Sequence, residues 1–152
     1  QAFADEFLQY KPDLVLTVEA SGIAGALTTA IACGNIPVVF AKKSPTRNVT
    51  GDVYESRVFS FTHGVENHIR VAKQYIPKGS RVLIVDDFLA NGEAAEGLCD
   101  LCRQAEAEVI GIGVCVEKSF QPGHKKLAEA GYRVLALAKV TGIENGRLIV
   151  ED

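Results

Sequence analysis

The stretch VLIVDDFLANGEAAEG, residues 82–97, constrains the fold more than any other, because it runs unbroken from apolar strand to paired acids to small-residue turn to helix. Val82 to Val85 show no polar alternation, the pattern of a strand covered on both faces, as in a parallel sheet flanked by helices. Asp86 and Asp87 stand at its carboxyl end, which faces the ligand crevice in open α/β sheets. Ala90, Asn91 and Gly92 then permit a tight turn, since Asn and Gly tolerate positive φ. Helical spacing resumes at Ala94, Ala95, Leu98, Leu101, Cys102 and Ala105. The turn's free N–H groups open a helix N-terminus, a ready site for phosphate. The plainer reading is a hydrophobic strand ending at a solvated Asp-Asp turn. The phosphate turn placed directly behind the acids favours binding over that reading.

The same plan recurs near the start of the chain. Leu14 to Val18 is an apolar strand running into Glu19-Ala20-Ser21-Gly22 and then a helix with apolar positions at Ile23, Leu27, Ala30 and Ile31. Residues such as Ala20, Ser21 and Gly22 let backbone amides approach an anion closely. A Ser21 that simply caps the helix would give the same pattern.

Around these two units, Gln1 to Tyr10 reads as the end of an amphipathic helix stopping before Lys11-Pro12. Ile36 to Ala41 is a third strand, with Lys42 and Lys43 at its end. Ser44 to Asp52 has almost no apolar anchor and reads as a mobile loop, either a lid or a solvated connector. Val53 to Phe61 and Glu66 to Ala72 alternate as an antiparallel hairpin turning near Thr62, His63 and Gly64, which leaves His63 and His68 as exposed hairpin residues. Val109 to Val116 is another buried strand, leading into EKSFQPG at 117–123. A helix at His124 to Ala130 and strands at Tyr132 to Val140 and Leu148 to Val150 follow. Alternating strands and helices predict one α/β domain over 1–152, a doubly wound, mainly parallel sheet with an antiparallel hairpin.

Composition bounds the partners. A formal charge of −3 argues against a nucleic-acid surface, and no apolar run approaches the roughly 20 residues of a membrane span. An anionic ligand would therefore need local Lys, Arg or metal. Cys33, Cys99, Cys102 and Cys115 form no disulfide or zinc pattern, since the one CxxC lies inside a predicted helix without a second ligand pair. Free core thiols point to a reducing, cytoplasmic setting.

EASGIAGA from Glu19, PVVFAKK from Pro37, DDFLANGEAAEG from Asp86 and GIGVCVEKSFQPG from Gly111 resemble, in order and over most of the chain, the type I phosphoribosyltransferases, and within them the bacterial purine-salvage branch that acts on xanthine. The resemblance implies transfer from phosphoribosyl pyrophosphate (PRPP) to xanthine, giving xanthosine 5′-monophosphate and pyrophosphate. It implies Asp86 and Asp87 on the ribose hydroxyls, with Ala90, Asn91, Gly92, Glu93 and Ala94 around the 5′-phosphate. Ala20, Ser21 and Gly22 fall on the pyrophosphate, with Lys42 and Lys43 as candidates for the leaving group. Lys118 falls on the 6-oxo group of the base and Phe120 over its ring. Mg²⁺ bound mainly through PRPP, a homodimer, and a hood over the base built partly from a segment preceding Gln1 are also implied.

Three departures from the wider family bear on mechanism. Asn91 and Ala94 stand where many relatives carry hydroxyl donors, which shifts phosphate binding towards backbone N–H groups. Glu93 brings an acid into the phosphate loop, and its carboxylate is expected to face outward. Ala90 replaces the Asp that hypoxanthine-guanine enzymes use near purine N7. A PRPP-sensing purine regulator that does no chemistry, and a phosphoribosyltransferase for another 6-oxopurine, are the competing readings.

Overall fold

The computed structural model describes residues 1–43, 52–60 and 65–151, without the side chains of 59, 60 and 65–67. Helix α1 (Ala2–Phe7) continues into a 3-10 turn at Leu8–Tyr10 and stops at Lys11, whose φ of 52° breaks the helix before Pro12. The elements then run β1 (Leu14–Val18), α2 (Gly22–Ala32), β2 (Val38–Ala41), β3 (Val53–Ser60), β4 (Val65–Ala72), β5 (Arg81–Leu89), α3 (Glu93–Gln104), β6 (Glu108–Lys118), α4 (Gly123–Glu129), β7 (Val134–Glu144) and β8 (Arg147–Val150).

Six strands form one sheet in the order β2-β1-β5-β6-β7-β8, parallel except for the final antiparallel β7–β8 pair. The expected parallel α/β architecture is therefore present. β3 and β4 form a separate antiparallel pair, from Val53 opposite Ala72 to Ser60 opposite Val65, tied to the end of β2 by the Lys42–Arg70 bridge. The expected turn at Thr62, His63 and Gly64 and the expected loop at 44–51 lie outside the described residues.

β1 and β5 are buried on both faces, and successive side chains supply two cores. Leu16, Val82 and Ile84 join Leu98 and Leu101 of α3 in one, while Val15, Leu83 and Val85 join Phe3 and Phe7 of α1 and Ala26 and Ala30 of α2 in the other. Each fully buried Leu or Phe contributes roughly 1.5–3 kcal/mol.

α2 departs from the periodicity read in the sequence. Its buried face is Gly22, Ala26, Thr29 and Ala30, and the expected core residues Leu27 and Ile31 are 51% and 56% exposed. Small side chains let α2 lie close on β1 and β5, and that close approach turns the larger residues outward. β5 and β6 also outrun their expected ends. Parallel pairing of Phe88 with Val116 and Leu89 with Glu117 carries both past the acids, so Asp86, Asp87, Glu117 and Lys118 are all strand residues.

Because the chain winds from β1 to β2 on one side and from β5 to β6 on the other, the winding reverses between β1 and β5. Ligands of open α/β sheets bind at such a switch point, outside the carboxyl ends of the strands. Residues 19–22 follow β1 at that edge, and residues 90–93 follow β5.

Candidate active site

Asp86 lies at this edge, only 5% exposed, and its Oδ1 accepts a hydrogen bond from the Asp87 backbone N–H at 2.9 Å. Burial pushes its carboxyl up to about 7. Asp87 beside it pushes the same way through its side chain and charge, while the Asp87 N–H and the charge of Lys43 pull back. Thr17 of β1 is fully buried, and its Oγ1 has no hydrogen-bond partner. A Cβ added at Gly22 would stand 2.3 Å from that oxygen and 2.7 Å from Asp86 Oδ1, so glycine there lets the β1 loop close on the acid. The Glu19–Ala20 peptide in this loop is cis.

Ser21 occupies the N-cap position of α2 without a side-chain cap bond. Simple capping therefore does not explain it. At the second loop Gly92, with φ of 95°, caps α3, which begins at Glu93 without side-chain capping. A cavity of about 120 Å³ is lined by Asp86, Phe88, Ala90, Gly92, Glu93 and Ala94 among others. At roughly 30 Å³ per water, it has room for a phosphate-sized group. Asn91 is half-buried in the same loop. A larger hollow of about 600 Å³ lies between β3, α3 and α4, but Asp86 does not line it.

Glu93 corrects one expectation. Its Oε1 is buried and without a hydrogen-bond partner, and the residue lines both hollows, so the carboxylate is not turned out to solvent. The residue is half-buried between the two hollows, and the positive end of the helix offsets part of the cost of a charge in the first turn.

The two lysines part company. Lys43 is exposed, its backbone N–H donates to Glu19 Oε1 at 2.7 Å, and its charge bears on Asp86. Lys42 lines a different groove with Val38, Phe40, Arg70 and Tyr75. Lys118, at the end of β6, holds its Nζ 5.8 Å from the centroid of the Phe88 ring. Phe88 and Phe120 are 52% and 50% exposed. Phe88 is a site residue that the sequence reading missed. Its signal was a large aromatic two residues past a buried acid on a strand already assigned to the crevice.

Two more missed residues stand behind Lys118. Glu117 is 4% exposed, accepts from Ser119 Oγ at 2.8 Å and lies 2.7 Å from His124 Nδ1. Lys118 thus reaches the Phe88 ring, which lines the Asp86 cavity, while its neighbour Glu117 turns back into the fold. His68, expected as merely exposed, is half-buried against Glu55. Among the described residues no group of three or more His, Cys, Asp or Glu is arranged to hold a metal ion. The crevice acids are hard oxygen donors, compatible with a ligand that brings Mg²⁺ with it.

Residues 1–134 match the model of the phosphoribosyl transferase domain. The chain belongs to the phosphoribosyltransferase family. It is 45% identical over 148 residues to a xanthine phosphoribosyltransferase of Laribacter hongkongensis, covering 97% of this chain and 78% of the relative. It is 50% identical over 144 residues to that of Clostridioides difficile, covering 95% and 76%. Among solved structures it resembles the adenine phosphoribosyltransferase of Saccharomyces cerevisiae complexed with an imino-altritol bisphosphate and adenine, at TM-score 0.76 and 27% identity over 90% of this chain and 73% of that one. The adenine phosphoribosyltransferase of Thermoanaerobacter pseudethanolicus gives TM-score 0.77 and 26% identity over 91% and 77%. This phosphoribosyltransferase is therefore a transferase enzyme with the type I fold.

Proposed function

We propose that the enzyme transfers the phosphoribosyl group of PRPP to xanthine, forming xanthosine 5′-monophosphate and pyrophosphate. The observation that carries this reading is Lys118 over the Phe88 ring at the sheet edge that also carries Asp86. An ammonium is a donor only, so it suits the 6-oxo group of xanthine and meets the 6-amino group of adenine donor to donor. The xanthine phosphoribosyltransferases, 45–50% identical, support the same choice over the adenine enzymes at 26–27%.

In this reading Asp86 and Asp87 accept hydrogen bonds from the ribose hydroxyls, each contributing roughly 1.5–3 kcal/mol. The amides of Ala90 to Ala94 hold the 5′-phosphate at the positive end of α3. Ala20, Ser21, Gly22 and Lys43 face the pyrophosphate, with Lys42 a second cation near β2. Phe88 and Phe120 flank the purine. Mg²⁺, held mainly by PRPP's own oxygens, neutralises charge on the departing pyrophosphate. The protein's residues orient C1 of the ribose towards the base and stabilise the charge that develops there, so catalysis is positioning and electrostatics.

A homodimer in the cytoplasm belongs to the same proposal. Exposed Leu27 and Ile31 are surface that a second copy can cover. Burial pushes the Cys99 and Cys102 thiols up to about 11 and about 12, as inert free thiols of a reducing compartment. Purine-dependent consumption of PRPP, compared for xanthine, guanine, hypoxanthine and adenine, tests the function. Xanthine should be preferred and adenine unused, and turnover of adenine alone would overturn it.

A further inference from the structure

The segment 118–123 joins two halves of the crevice. It begins at Lys118, and it ends at Gly123, whose backbone N–H donates to the Ala90 carbonyl at 3.0 Å. At that end the phosphate loop and α4 are in close backbone contact. A Cβ on Gly123 would stand 2.4 Å from Ala90 O and 2.9 Å from Gly92 N. Directly before the segment stands a carboxylate as buried as that of Asp86. Glu117, with its side chain 5% exposed, takes one partner on each oxygen, Ser119 on Oε1 and His124 on Oε2. An ionised carboxylate only accepts, so His124 contributes Nδ1–H. Lys139, the register partner of Glu117 on β7, pairs with Glu151 instead, which leaves the Ser119 and His124 contacts to satisfy the buried acid.

The geometry points to Glu117 as a positioning residue: by clasping Ser119 and His124 it fixes 118–124 as one strut, which holds the base reader Lys118 and the phosphate loop 90–92 at a set spacing. Binding of the base and binding of PRPP are then mechanically coupled, although no part of Glu117 touches either ligand. The inference rests on the proposed function for the identity of the two ligands. It goes beyond it in assigning a device that joins their sites. A surface carboxylate at 117 would serve Lys118 only as a neighbouring charge. This one is enclosed, and both of its partners lie on the strut.

The test uses the full chain with His124→Leu, His124→Asn and Ser119→Ala, each checked for folding by its thermal transition. His124→Asn places an amide N–H where Nδ1–H stood. Losing a hydrogen bond to a buried charge should raise the KM for xanthine and the Kd for PRPP about tenfold in His124→Leu, with smaller rises in Ser119→Ala. His124→Asn should return both to near the wild-type values. Amide hydrogen exchange of 90–93 should accelerate in His124→Leu and not in His124→Asn. A folded His124→Leu enzyme with both constants unchanged, a rise in one constant alone, or a folded His124→Asn enzyme that behaves like His124→Leu would each overturn the strut. A wild-type chain that binds PRPP but uses no purine would sink the xanthine assignment instead, and the PRPP and exchange measurements would still decide the strut.

Discussion

Two acids, Glu55 on the β3–β4 hairpin and Asp86 at the end of β5, meet opposite environments. Glu55 sits between Arg70, which donates from Nε, and His68, and these two hold its carboxyl down to about 2. Asp86 is far more enclosed, has among the described residues a backbone N–H and the charge of Lys43 in its favour, and is pushed up to about 7. The hairpin acid is satisfied by the protein itself. The crevice acid is left short of donors at the place where the winding of the sheet reverses. An acid satisfied by its own fold is structural, and in the proposed function the crevice acid is kept for the ribose hydroxyls that PRPP brings.

The comparison is broken most severely by deforming the loop that the ligand needs. Gly92→Val should abolish measurable PRPP binding, because φ of 95° is closed to a β-branched residue and its Cβ would stand 3.2 Å from the Gly123 Cα, so the loop must move. Ala94→Ser should bind normally, and calorimetry on the two variants checks the pair. Next in size, Lys118→Ala should lose roughly 1.5–3 kcal/mol of transition-state stabilisation with xanthine while PRPP affinity holds. Steady-state kinetics with each substrate varied would separate the two effects. Asp87→Asn should weaken PRPP binding by about 1–3 kcal/mol without loss of fold, because it removes a charged acceptor and leaves the strand intact.

The smallest effect belongs to the hairpin. Glu55 has its folded value lowered, so its contribution is present above about 4.5 and is lost as the pH falls towards about 2. The acid-side slope of wild-type stability should therefore be steeper than that of Glu55→Gln, while PRPP affinity is equal in both. Acid denaturation followed by circular dichroism measures the first half, and calorimetry at neutral pH the second.

Much of this contrast was legible in the sequence. The run 82–85, the paired acids and the small-residue turn together specify strand, cavity-lining loop and helix, since each step has its own physical signature in residue order. The hairpin was legible through alternation. What escaped the sequence depends on contacts between distant segments. Phe88 fell past the expected end of the strand, and the register with Val116 is what makes it a strand residue beside the Asp86 cavity. Glu117 and His124, seven residues apart, had no pattern that joined them before β6 and α4 were seen side by side. Glu93 was read as outward because its charge opposes a phosphate, and its half-buried place between the two hollows decided otherwise. Leu27 and Ile31 misled because α2 is spaced from the sheet by its small residues, an effect that apolar periodicity does not encode.

The claim that Asp86 is held against its own interest for a ligand has a direct measurement. With its folded value raised to about 7 from 3.8, the unfolded chain releases this proton first, so stability falls as the pH rises from about 4 to about 7 and is level above that. Denaturant unfolding of wild type and Asp86→Asn without ligand, from pH 4 to pH 8, reads that window. Asn carries no charge to desolvate, and the variant should draw level with wild type near pH 4 and exceed it at pH 8 by on the order of 2–4 kcal/mol, while binding PRPP more weakly. Stability curves that run parallel across the range, or a variant less stable than wild type at pH 8, would contradict the account.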